Sequence, residues 1–134
     1  MRAFFGGEEA ELEFTVEPGM EAAFGGETVH PVLSTWALVH HLEWVSRRLL
    51  LTHLEPNESG AGAGVNVRHL APAPVGSAVR VRAVARPSRP GLLATDVAAV
   101  SGGRLVATGE VFQAIWPADE LRRRMKEPPV ASQS

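Results

Sequence analysis

Leu12, Phe14 and Val16 alternate with Glu11, Glu13, Thr15 and Glu17. A period of two is that of a strand with one face on a core and the other in water, and Pro18-Gly19 closes it. A loop around Phe24-Gly25-Gly26 follows, with room for one helical turn. From Leu33 to Leu54 no Gly or Pro intervenes, and Glu55-Pro56-Asn57 then stops the run, so the pattern predicts one long helix. At about 100° per residue, Leu38, Leu42, Val45 and Leu49 share one face of it. Trp36, Trp44 and Leu51 lie on another side, and a helix that is apolar nearly all round is expected to be covered over most of its surface.

Ser59-Gly60-Ala61-Gly62-Ala63-Gly64 reads as a flexible turn. Strand patterns come after it. Val65, Val67 and His69 alternate up to the breakers Pro72 and Pro74. Val79, Val81, Ala83 and Ala85 oppose Arg80, Arg82 and Arg86. Leu93 to Val100 follows Pro90-Gly91, and Ser101-Gly102-Gly103 turns the chain into a last strand, Arg104 to Trp116. A short helix is expected over Asp119 to Lys126, and a disordered tail over Glu127 to Ser134. The order strand, long helix, run of strands predicts an α+β domain over residues 1–126, antiparallel hairpins packed on one helix. A single sheet cannot cover every side of that helix, so a partner subunit is expected.

The chain has 134 residues, 45% of them hydrophobic, which suits one ordinary domain. A net charge of −2 gives no electrostatic reason to expect nucleic acid. Without cysteine there is no disulfide, thiolate metal site or Cys nucleophile. Glu8 follows the start too soon for a signal-peptide core. The longest apolar stretch carries three histidines, two arginines and Glu43, a poor membrane span. A cytoplasmic protein is the expectation.

Three side chains could carry chemistry. Glu43 stands beside Trp44 at the margin of the helix's apolar face. It is either a surface partner of Arg47 at i+4 or a partly desolvated carboxylate usable as base or nucleophile. His69 ends a strand on the side of Val65 and Val67, so alternation turns it inward, as a core histidine or as a proton carrier at a cleft. Thr35 falls at the helix start, where it or Ser34 would cap unless its hydroxyl meets substrate. Thr35 and Glu43 are eight residues apart, roughly 12 Å along a helix. They therefore flank a substrate or come from different subunits.

Other signals are weaker. Gly60, Gly62 and Gly64 do not make a G-x-G-x-x-G and open no helix, against dinucleotide binding. His40 and His41 are adjacent on a helix, so they diverge, and no metal site is expected. The Arg80, Arg82, Arg86 row is either a solvated face or part of a phosphate site.

Thr35 to Trp44, then Leu54-Glu55-Pro56, then Val67-Arg68-His69 and Pro74-Val75-Gly76, resemble the fluoroacetyl-CoA thioesterase group of hotdog enzymes. That family carries T-x7-E-W, L-E-P-x-E, V-x-H and P-x-G in this order, and the likeness extends over most of residues 10–116. It implies a hotdog fold, a long central helix wrapped by a five-stranded antiparallel sheet, assembled as a homodimer or a pair of such dimers. It implies Thr35, Glu43 and His69 as catalytic trio, Gly62 in the acyl pocket and no cofactor. Val29 stands where the family has a phenylalanine gate, and Gln113 near a last-strand arginine, so the acyl group is expected to differ. The activity implied is hydrolysis of a small acyl-CoA thioester in a cleft between subunits. A non-catalytic acyl-CoA or small-ligand binding protein on the same fold is the alternative. A hydratase is disfavoured, because no Asp-x4-His is present.

Overall fold

The computed structural model describes residues 1–128. Of the tail expected over 127–134, residues 129–134 lie outside the described residues. The elements are β1 (Glu9–Thr15), a 3-10 turn (Pro18–Met20), β2 (Glu21–Phe24), β3 (Glu27–Leu33), α1 (Thr35–Leu51), β4 (Glu58–His69), β5 (Ala78–Ala85), β6 (Leu92–Ser101), β7 (Arg104–Pro117) and α2 (Ala118–Met125). Five strands form an antiparallel sheet in the order β1-β5-β6-β7-β4, with β1 and β4 as its edges.

The period-two strands behave as their patterns require. Val79, Val81, Ala83 and Ala85 are buried on the inner face of the sheet, beside Leu93, Val97 and Ala99 of β6. Leu38, Leu42, Val45, Leu49 and Leu50 of α1 are buried against them. The expected helix is shorter by two residues at its start and three at its end. Leu33 closes β3, its N–H bonded to Ala73 O at 2.8 Å. Ser34 caps α1 by accepting from Ala37 N–H. At the other end Thr52 donates its hydroxyl to Leu49 O at 2.6 Å.

Two expectations are corrected. The segment around Phe24-Gly25-Gly26 is a two-stranded hairpin, β2 with β3, and holds no helical turn there. Gly25 and Gly26 both have positive φ, 60° and 83°, which the tight turn demands and a side chain would oppose. Ser59 to Gly64, expected as a flexible turn, is paired strand: Ser59 faces Trp116 and Gly62 faces Gln113, with a bulge between Gly62 and Gly64. The glycines serve close approach. A Cβ on Gly60 would run into Leu50 Cδ2, so a larger residue there would have to displace the end of that side chain.

The outer face carries the arginine row, and carboxylates meet it. Arg80 faces Glu13 at 3.7 Å, Arg82 pairs with Glu9, and Arg86 holds Asp96 at 2.6 Å and also Glu110. Their charge is therefore matched across strands rather than left open for a phosphate. Among the described residues no helix is long and apolar enough to cross a membrane.

His41 is sandwiched beneath β1: its ring stacks on Phe14 with centroids 3.6 Å apart, and Nδ1–H donates to Ala37 O at 2.7 Å. Burial pushes its pKa below the ordinary 6.5, more strongly than the Ala37 bond raises it, and neighbouring His40 lowers it further. The folded state thus binds fewer protons here than the unfolded one. The stabilising contribution is complete above the unfolded value and is lost as pH falls through it toward the lower folded value. We predict that wild-type protein loses more unfolding free energy between about pH 7.5 and pH 5 than a His41→Phe variant. Urea titrations at the two pH values check this, and equal losses would refute it.

Candidate active site

The capping ambiguity at the start of α1 is settled by Ser34, which leaves the Thr35 hydroxyl free. Thr35 Oγ1 lies 3.1 Å from His69 Nδ1. His69 is the last residue of β4, and alternation brings it to the helix side of the sheet as expected. Val65, two pairs earlier on the same strand, is instead substantially exposed. His69 Nε2 is buried and is the only such side-chain atom without a hydrogen-bond partner among the described residues. A buried orphan of this kind asks for a function or an absent partner. Thr35 and His69 line a cleft of ≈ 340 Å³ with Val32, Leu70, Ala71 and Pro72.

Glu43 stands in a second cleft, ≈ 150 Å³, walled by His40, Trp44, Arg47, Gly62, Val111 and Gln113. The surface pair with Arg47 does not form. Arg47 Nη1 donates instead to Gly60 O of β4 at 3.0 Å, and none of the ion pairs among the described residues includes Glu43. The carboxylate is left open to the cleft, with the Gly62 backbone beside it. A Cβ on Gly62 would lie 3.5 Å from Glu43 Oε2. Gln113 is 4% exposed and donates from Nε2 to Ser46 O at 3.1 Å.

The chain thus brings Thr35 to His69, and Glu43 to Gly62 and Gln113, but in two separate clefts. Val29 belongs to neither. It is half-exposed on β3 of the hairpin. His40, Trp44 and Arg47 were not singled out as site residues from sequence, although His40, three before Glu43, and Arg47, four after it, share its helix face, and Trp44 follows it directly. Val111 and the Ser46 carbonyl had no sequence signal. A groove of ≈ 490 Å³ on the outer face of the sheet, between Glu11, Glu13, Arg80 and Arg82, lies across the sheet from all of these side chains.

The sequence profile of the fluoroacetyl-CoA-specific thioesterase family FlK matches residues 16–119. Comparison with curated proteins finds no match. Among solved structures, a Thermus thermophilus hypothetical protein of the thioesterase superfamily is 37% identical, over 94% of this chain and 96% of that one, with a TM-score of 0.88. The fluoroacetyl-CoA thioesterase FlK itself is 27% identical over 96% and 98% of the two chains, with a TM-score of 0.81. A hot-dog-like protein from Thermanaerovibrio acidaminovorans, 19% identical over 90% and 89%, shares the fold with a TM-score of 0.83. With its long helix on a five-stranded antiparallel sheet, this chain belongs to the fluoroacetyl-CoA-specific thioesterase family and is a hotdog-fold thioester hydrolase.

Proposed function

We propose that the protein hydrolyses a short acyl-CoA thioester in a cleft completed by a second copy of the chain, with Glu43, His69 and Thr35 as the reacting groups. The observation that carries this is the division of the trio. A hydrogen-bonded Thr35–His69 pair with an orphaned Nε2 sits at one end of β4, and an unpaired Glu43 faces the glycines at the other. Seven residues of strand separate Gly62 from His69, roughly 20 Å. One chain cannot bridge that gap with a small substrate.

A twofold pairing of β4 with its copy supports the reading. β4 is a long sheet edge, and an uncovered edge invites another strand. With the bulge between Gly62 and Gly64 counted, antiparallel pairing centred on Asn66 would set the partner's His69 opposite Gly62, and so near Glu43. Trp36, Trp44 and Leu51 are 61%, 51% and 50% exposed on the side of α1 away from its own sheet. An interface would cover such a patch.

In this site Glu43 takes a proton from water as the water oxygen attacks the thioester carbon. The C–S bond then breaks, giving a carboxylate and CoA thiol. His69 supplies the thiol proton, with Thr35 fixing the imidazole through Nδ1 and Gln113 and Gly62 bordering the acyl group. The test is free-thiol release from a panel of acyl-CoA esters of rising chain length. Turnover confined to short acyl groups is expected, given a cleft of ≈ 150 Å³. Preference for long chains, or no thiol from any ester, would refute it.

A further inference from the structure

The orientation of one buried amide selects what the acyl group must carry, granted that the Glu43 cleft is the acyl site as proposed. Gln113 projects from β7 toward α1, opposite Gly62 on β4 and Leu93 on β6. Its amide could present either end to the cleft, and Ser46 decides which. The Ser46 carbonyl can only accept, so the group 3.1 Å from it is the NH2 of Gln113. The helix is pinned at this point by a second set of bonds. The Ser46 hydroxyl donates to Leu42 O at 2.9 Å and therefore accepts from Thr95 Oγ1, also at 2.9 Å. Ser46 and Thr95 have no exposed surface, so neither amide end can be exchanged for water at that side.

With Nε2 held, Oε1 is an acceptor of fixed direction. It accepts no hydrogen bond among the described residues, yet it is not among their fully buried atoms without a partner. Its remaining opening is the cleft that Gln113 lines. No wall of the cleft donates to it among the described residues: Arg47, the cation there, gives Nη1–H to Gly60 O, and the Glu43 carboxylate is itself an acceptor. An acyl chain that excluded water and brought no donor would leave Oε1 unsatisfied.

We infer that Gln113 is a specificity-determining residue, and that the preferred substrates are short acyl-CoA esters bearing a hydroxyl on the acyl chain, which donates to Gln113 Oε1. Sites built to pair with a substrate hydroxyl discriminate against the analogue that lacks it far more sharply than apolar pockets discriminate by size.

The experiment compares kcat/KM for two esters of equal size, 2-hydroxyacetyl-CoA and propionyl-CoA, on the wild-type protein and on Gln113→Met. Methionine keeps the length of the side chain and removes the acceptor. The wild type is expected to favour the hydroxy ester by at least about tenfold, and the variant to bring the ratio near one. A side chain that mattered only for packing would lower both rates and leave their ratio alone. Should the variant fail to fold, the wild-type ratio decides by itself. Hydrolysis of both esters at equal rates overturns the specificity and leaves the thioesterase site standing, as does a ratio unchanged in Gln113→Met. Absence of thiol release from these and all other short esters overturns the site and the specificity together.

Discussion

Glu43→Gln is expected to lower kcat toward short acyl-CoA esters by about a thousandfold while leaving ester binding within about threefold of wild type. The amide keeps the shape of the carboxylate and its place beside Gly62, but it cannot take a proton from water. Because no ion pair among the described residues includes Glu43, the substitution orphans no partner, and the fold should be unaffected. Turnover is read by thiol release, and binding by calorimetry with CoA and a non-hydrolysable thioether analogue. A variant that turns over like wild type would remove Glu43 from the mechanism and favour a binding protein. The same variant tests the shared cleft. Mixed with His69→Ala, it forms hybrid dimers in which one site carries both changes and the other carries neither. With random exchange about a quarter of all sites are intact, so two inactive proteins should regain about a quarter of wild-type activity. No recovery, although exchange is shown by mass, would mean that Glu43 and His69 do not meet across subunits.

The largest effect on stability is expected from Gly109→Ala. Gly109 lies in β7 opposite Val67 of β4. A Cβ there would overlap Asn66 O and stand 2.9 Å from Val67 Cα. These are backbone atoms of a paired strand and cannot swing aside, unlike the end of a flexible side chain. Overpacking of this kind costs about 3 kcal/mol, or roughly 10 °C in Tm for a chain of this size. Gly19→Ala is the control: no atom lies within 4 Å of the added carbon, and a Tm within about 2 °C of wild type is expected. Calorimetric melting of the two variants checks both. Since β4 carries Gly62 and His69, a shift at Asn66 and Val67 should also reduce turnover. A Gly109→Ala protein that melts like wild type would show that β4 can move away from β7 without loss.

The sequence by itself determined the elements whose patterns are local. The alternation in β1, β5 and β6 comes from half-burial, which acts residue by residue, and so does the uninterrupted run of α1. Their order then leaves few ways to cover one helix with antiparallel strands. Thr35, Glu43 and His69 were legible as candidates through their place in the pattern and their likeness to a family, and Gly62 through the likeness alone. Tertiary structure decided what depends on partners distant in the chain. The Gly60 to Gly64 segment looks like a turn because glycine has little local strand preference. It is a strand because β7 pairs with it along its length, and at Gly60 Leu50 stands where a side chain would go. The β2–β3 hairpin went unseen because its mostly exposed strands lack a buried face to impose alternation. Arg47 could have paired with Glu43 by helical spacing, yet it donates to Gly60 O, because β4 brings a carbonyl within reach and an exposed ion pair is worth little. Likewise nothing near Gln113 in the chain says which end of its amide faces the cleft; that is fixed by Ser46, 67 positions away, because a carbonyl can only accept.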